Sequence, residues 1–131
     1  MTGVTLDAIA WGRATNDASR FVVDQIKCAD GFTVSVQASW GHYCHDANGK
    51  RPEFDASPIA YPFRSFEVGY PSERPEPWQC TAWREGFDSH EDHPTCDVWA
   101  AYGGGDGGIY AFVPYAMVRA LLDSHGGEVT A

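Results

Sequence analysis

The alternation of apolar and polar residues is strongest over residues 21–28 and 32–38, which are rich in β-branched and aromatic side chains. A short Ala-Asp-Gly segment separates these two stretches and predicts a β-hairpin. A three-residue turn with Gly31 in the left-handed conformation sets Val34 opposite Ile26 and gives one nearly continuous apolar face. A two-residue Asp-Gly turn would place polar side chains on that face, so we predict the three-residue turn.

A third strand is predicted over residues 63–70, before a proline at residue 71. Its alternation places Phe66, Val68 and Tyr70 on one face together with Arg64. We therefore expect an arginine at the entry of this strand, at the rim of the apolar surface.

The C-terminal part predicts a short strand over residues 109–113 and then a helix, which Pro114 opens and Gly126 closes. The apolar face of this helix comprises Val118, Leu121 and Leu122. Arg119 falls outside that face, so its truncation is expected to cost little stability. His125 lies near the negative end of the helix dipole.

These elements predict a small α+β protein, an antiparallel sheet of about four strands with the C-terminal helix packed across one face. Residues 1–19 form an N-terminal arm or a short helix, and residues 20–131 form a single α+β domain. Residues 40–62 are predicted to be an ordered irregular loop and residues 85–97 an acidic, solvated loop. The glycine-rich segment 103–108 reads as a flexible connection within the domain.

Length, composition and charge limit the classes of protein to which this chain can belong. The chain has 131 residues, 44% hydrophobic and 14% aromatic, which suits one folded domain. It has no long apolar run and no basic, hydrophobic leader, so we expect a cytoplasmic protein with no membrane partner. The formal charge of −9 disfavours nucleic acid as a partner, because phosphate backbones would be repelled. A homo-oligomer is left open.

The four cysteines, Cys28, Cys44, Cys80 and Cys96, contain no CxxC spacing and are expected to be reduced thiols. Cys28 falls on the apolar face of the hairpin and is interpreted as a core residue. A small zinc-stabilised domain is one alternative, since zinc prefers thiolate and imidazole ligands. Its candidate ligands are Cys44, His45, His90, His93 and Cys96. Pro94 would break a helix that could place His90, His93 and Cys96 on one face. We therefore favour a protein without a cofactor.

No familiar enzyme motif is present, neither a nucleophile elbow nor a phosphate-binding or zinc-protease signature. A nucleophilic Cys44 would need one of the neighbouring histidines as its base, and the sequence does not place either imidazole against the thiol. We therefore assign no catalytic residue and favour a non-enzymatic protein.

Rings and guanidinium groups concentrate near the irregular segments, and these groups stack on bases and hold phosphates. The candidate ligand-binding residues are Trp40, His42, Tyr43, Arg51, Arg64 and Trp78. They predict a binding site for a small anionic, nucleotide-like ligand. The alternative is an acidic protein that docks on the surface of a basic partner and mimics nucleic acid, which the net charge supports.

Several segments together resemble a family of small uncharacterised proteins encoded by tailed bacteriophages. The resemblance is carried by residues 23–38, 42–44, 67–72 and 110–114, by Val118 and by residues 125–127, and it covers roughly residues 20 to 127. The chain departs from the family at His45-Asp46, where a Pro-Arg pair is usual, and in the histidine-rich insertion from His90 to His93. The resemblance implies a viral accessory protein that acts in the host cytoplasm, with counter-defence against a host process as its expected role. It transfers no catalytic residue.

Overall fold

The computed structural model describes residues 3–13, 22–52, 59–72, 102 and 108–130. Within them the elements are α1 (Leu6–Ala10), β1 (Ile26–Lys27), β2 (Thr33–Gln37), β3 (Ser65–Gly69), β4 (Ile109–Pro114) and α2 (Tyr115–Ser124). The strands form one four-stranded sheet in the order β1-β2-β3-β4, with every neighbouring pair antiparallel. The predicted α+β fold with its C-terminal helix is confirmed.

The first hairpin has the predicted register. Ile26 pairs with Val34, and the amide of Cys28 donates to the carbonyl of Phe32 at 2.8 Å. Gly31 has φ +95°, the left-handed conformation that the three-residue turn requires. The paired part of β1 is only two residues long, much shorter than the predicted strand over residues 21–28.

The core lies between one face of the sheet and the two helices. Its fully buried members come from every layer: Leu6, Ile26, Phe32, Val34, Val36, Cys44, Phe66, Val68, Val113, Val118, Leu121 and Leu122. The predicted face of α2 is therefore confirmed. The N-terminal segment contributes a short helix, as one of its two predicted forms, and three of its five residues are buried.

The face predicted for the third strand is correct only in its middle. Phe66 and Val68 are fully buried, whereas Tyr70 is 61% exposed and Arg64 is also exposed. The strand ends at Gly69, and Tyr70 has φ +49°, a left-handed conformation that breaks the alternation. Arg64 precedes the first paired residue, so the sheet does not fix its side chain on the core face.

An irregularity interrupts the pairing of β3 with β4 between Phe66 and Val68. Opposite it, Phe112 has φ +57° and its amide donates to the carbonyl of Tyr43 at 3.1 Å. The extra residue and the redirected amide identify a β-bulge. It joins the edge of the sheet to the loop that follows β2.

The described parts of the predicted irregular loop, residues 40–52 and 59–62, contain neither a helix nor a strand, as expected. Buried Asp46 organises a tight turn there, since one oxygen of its carboxylate accepts from the amides of Asn48 and Lys50. The amide of Ala47 donates to the carbonyl of Ala60 at 2.7 Å and connects the two described parts of the loop.

Predictions for Trp78, residues 85–97 and residues 103–107 fall outside the described residues. In the part of the chain that the structure does describe, no helix is long and apolar enough to cross a bilayer.

Candidate functional site

A cavity of about 430 Å³ opens between α1, the irregular loop and the start of α2. Its lining is mostly apolar, with one cationic and one acidic side chain. The residues that line it are Asp7, Ala10, Trp11, Ala47, Pro62, Phe63, Arg64 and Tyr115. Their sequence positions span more than a hundred residues, so the cavity is a product of the tertiary fold.

Backbone hydrogen bonds hold the walls of the cavity together. The amide of Phe63 donates to the carbonyl of Ala10 at the end of α1, at 2.9 Å. The amide of Tyr115 donates to the carbonyl of Arg64, also at 2.9 Å. The residues that precede β3 are thus fixed to both helices, which sets the position of the Arg64 backbone at the cavity.

Arg64 is the cation of the cavity, and its side chain is exposed. No Asp or Glu among the described residues forms an ion pair with it. One of its terminal nitrogens lies over Gly49, where a Cβ atom would sit only 3.0 Å away. The loop glycine therefore leaves room for the guanidinium group.

Asp7 is the anion of the cavity. One oxygen of its carboxylate accepts a hydrogen bond of 2.6 Å from the hydroxyl of Tyr115. That hydrogen bond raises the pKa of Tyr115, with burial adding to the rise. The hydroxyl thus stays protonated and holds the carboxylate in place between α1 and α2.

Three aromatic residues, Trp11, Phe63 and Tyr115, line the cavity. Trp11 is 48% exposed, a high value for so large an apolar side chain. Beside the cavity, Tyr61 packs edge-on against Phe63 with the ring centroids 5.5 Å apart. The Tyr61 ring also lies close to the backbone of Gly12, where a Cβ atom would be only 2.6 Å from the ring. Exposed rings next to a cation form a surface on which a planar ligand can stack.

The structure separates the candidate ligand-binding residues. Arg64 lines the cavity, whereas Arg51 lies over the ring of Tyr43 with its Cζ atom 4.7 Å from the ring centroid. Tyr43 in turn contacts Phe112, whose ring stacks on His45 at 4.5 Å. We call Tyr43, His45, Arg51 and Phe112 the aromatic patch. It lies at the bulge of the sheet, and none of its members lines the cavity.

His42 and Trp40 also lie away from the cavity lining. His42 is only 6% exposed, and its Nδ1 atom lies 2.7 Å from the hydroxyl oxygen of Ser39. Burial lowers the pKa of His42, which favours the neutral imidazole. Trp40 is 39% exposed.

Comparisons with family models, with curated proteins and with solved structures found no match to this chain. The resemblance to phage proteins stays a prediction. The geometry of the cavity is therefore the basis on which a function can be proposed.

The two described candidate zinc ligands have other partners. The thiol of fully buried Cys44 donates to the carbonyl of Ser39 at 3.3 Å, and Nδ1 of His45 lies 3.0 Å from the hydroxyl oxygen of Ser65. Among the described residues, no group of three His, Cys, Asp or Glu side chains could hold a metal ion. His90, His93 and Cys96 fall outside the described residues.

Neither described thiol is suited to act as a nucleophile at neutral pH. Burial raises the pKa of Cys44 to about 11 and that of Cys28, which is also buried as predicted, to about 11. The thiolate is the reactive form, so burial disfavours nucleophilic chemistry at both groups.

Sequence reasoning missed Asp7, Trp11 and Tyr115, all of which line the cavity. The available signal was weak: a tryptophan followed by glycine at the end of a short helical pattern, and a tyrosine at the first position of the C-terminal helix. Only the packing of α1 against the start of α2 brings them together.

Proposed function

We propose that the cavity binds a small anionic ligand of the nucleotide type. The observation that carries this proposal is an exposed guanidinium group, that of Arg64, at a largely apolar cavity where no described carboxylate pairs with it. The cavity volume of about 430 Å³ lies within the range typical of small-molecule sites. A few convergent polar groups on an apolar surface are also typical of such sites.

The chemistry of the lining suits the two parts of a nucleotide. The planar fork of a guanidinium group matches the oxygens of a phosphate and can donate two parallel hydrogen bonds. The exposed indole of Trp11 offers a flat apolar surface for a base. One site can therefore engage the charged and the aromatic part of the same molecule.

We further propose that binding itself is the activity, so that the protein depletes its ligand stoichiometrically without converting it. In line with the resemblance to phage proteins, the expected setting is counter-defence in a host cytoplasm, where removal of a small signalling nucleotide would inhibit a host process. Sequestration of this kind needs affinity and abundance, and it needs no catalytic group.

Calorimetric titration of the whole protein with guanosine and adenosine 5′-monophosphate tests this proposal. We expect one ligand per chain, and Arg64→Ala should weaken binding by about 10- to 100-fold, because a charge-assisted hydrogen bond is lost. Arg51→Ala is the matched control, since it removes an exposed arginine from the aromatic patch and should leave affinity within about twofold.

Two results would overturn the proposal. One is that neither nucleotide binds to the unaltered protein. The other is a loss of affinity in Arg51→Ala with retention in Arg64→Ala, which would locate the ligand at the aromatic patch.

A further inference from the structure

We propose that the cavity selects guanine over adenine nucleotides, with Asp7 as the residue that determines specificity. This inference rests on the proposed function. It starts from the two opposite charges of the cavity lining, Arg64 and Asp7, which do not form an ion pair with each other. A ligand that satisfies both must carry an anionic group and a set of hydrogen-bond donors.

The Asp7 carboxylate is the acceptor for those donors. An ionised carboxylate accepts at about four lone-pair positions and donates nothing. The hydroxyl of Tyr115 uses one position, on Oδ1. Among the described residues no other side chain donates to this carboxylate, so its remaining positions are open to a ligand. Because Tyr115 fixes the carboxylate from the side of α2, the group is oriented before a ligand arrives.

The bases differ in what they present to such a group. The pairing edge of guanine carries two adjacent donors, the ring N1–H and the exocyclic N2 amino group, which match a carboxylate. The same edge of adenine carries a donor beside the lone pair of N1, and that lone pair would face a carboxylate oxygen. A mismatch of this kind between a site and a base edge typically costs about 1 to 3 kcal/mol, which corresponds to roughly 5- to 150-fold in affinity.

Free phosphate is a poorer ligand for this cavity than a guanine nucleotide. An inorganic phosphate at Arg64 would gain the guanidinium contact, but it would bring further negative charge into a cavity that already contains a carboxylate and would leave Asp7 without a donor. A guanine nucleotide satisfies Asp7 through its base and Arg64 through its phosphate. The cavity therefore distinguishes the nucleotide from its anionic part alone.

Competition titrations of the full chain with guanosine 5′-monophosphate, adenosine 5′-monophosphate and inorganic phosphate test the inference. We expect the guanine nucleotide to bind at least about fivefold more tightly than the adenine nucleotide. Asp7→Asn should reduce this ratio to about one or invert it, because the amide offers one acceptor and one donor and so matches adenine. The variant keeps an acceptor for Tyr115.

Asp24→Asn is the matched control, since it removes the same charge at an exposed position outside the cavity lining and should keep the ratio. Tyr115→Phe provides a second variant that retains the carboxylate and loses only its orienting hydrogen bond, and it should lower the ratio in part. An unchanged ratio in Tyr115→Phe would contradict the role of the oriented Asp7 carboxylate, so this variant tests the inference even if Asp7→Asn fails to fold.

The outcomes separate the two proposals. Equal affinities for both nucleotides, each lost in Arg64→Ala, would overturn the guanine selectivity and leave the proposed function standing. An unchanged ratio in Asp7→Asn would likewise reject Asp7 as the residue that sets specificity. No nucleotide binding at all would reject the proposed function itself.

Discussion

Two arginines of this protein have opposite surroundings. Arg119, on α2, donates to Glu128 through both terminal nitrogens and lies 3.0 Å from a carboxylate oxygen of Asp123. Its side chain is 27% exposed and that of Glu128 only 9%. Arg64 is exposed at the cavity and forms no ion pair with any described carboxylate.

The ion pair between Arg119 and Glu128 connects distant parts of the chain. Glu128 also accepts a hydrogen bond of 3.0 Å from the amide of Leu6, at the start of α1. Burial alone would raise the pKa of Glu128, but the hydrogen bonds from Arg119 and Leu6 outweigh it and lower the pKa from 4.5. The hydrogen bond to Glu128 is in turn the main reason why the pKa of Arg119 is raised.

Arg119 is a structural charge, whereas Arg64 is the charge that we propose binds a ligand. Arg119 is neutralised by partners within the fold, and those partners join the C-terminal segment to α1 and α2. The backbone of Arg64 is held by hydrogen bonds, and no carboxylate among the described residues pairs with its side chain. A charged group at an apolar cavity without a described ion-pair partner is the feature on which the proposed binding site depends.

The largest expected effect is on stability. Arg119→Ala should lower the free energy of unfolding by about 2 to 3 kcal/mol, since it leaves the mostly buried Glu128 carboxylate without its cation. Arg64→Ala should change it by no more than about 0.5 kcal/mol. Urea unfolding of both variants at neutral pH measures the difference. If the order were reversed, Arg64 would be the structural residue and the comparison would fail.

The sequence pattern predicts that truncation of Arg119 costs little stability, and the contacts of Arg119 in the structure revise that prediction. Its main partner, Glu128, lies nine residues further along and comes within reach only because Gly126 and Gly127 adopt left-handed conformations, with φ +91° and +81°. The helical pattern identified the apolar face of α2 correctly. It carried no information on what the chain does after the helix ends.

Features that are local in sequence could be predicted, whereas contacts between distant residues could not. The hairpin register followed from Gly31 and the alternation around it, which are local in sequence. The cavity could not be derived in this way. The hydrogen bond that fixes Asp7 comes from Tyr115, 108 positions away, and only Arg64 was identified beforehand among the residues that line the cavity. Residues brought together by tertiary packing leave no periodic signal.

A smaller effect, on nucleotide affinity, is expected when alanine replaces the glycine beside Arg64, and a second glycine provides the control. Gly49 and Gly31 both have left-handed conformations, with φ +76° and +95°, so alanine strains each backbone by about 1 kcal/mol. At Gly49 the new Cβ atom would lie 3.0 Å from the Arg64 guanidinium, whereas at Gly31 nothing lies within 4 Å.

Gly49→Ala should therefore weaken nucleotide binding several-fold, about 1 kcal/mol in affinity, while Gly31→Ala should leave the affinity unchanged. Calorimetric titration of both variants provides the measurement. Equal affinities in the two variants would show that the position of the guanidinium over Gly49 does not matter for binding.

The most direct test of the central claim is to locate the ligand by heteronuclear NMR. Titration of the isotope-labelled protein with guanosine 5′-monophosphate should shift the indole N–H signal of Trp11 and the amide signals of Ala10, Ala47 and Phe63, which all line the cavity. The amide signals of Tyr43, Arg51 and Phe112 in the aromatic patch should stay in place; His45 is left out because its carbonyl accepts from the amide of Arg64. Shifts confined to Tyr43, Arg51 and Phe112, with none at the cavity, would contradict the account.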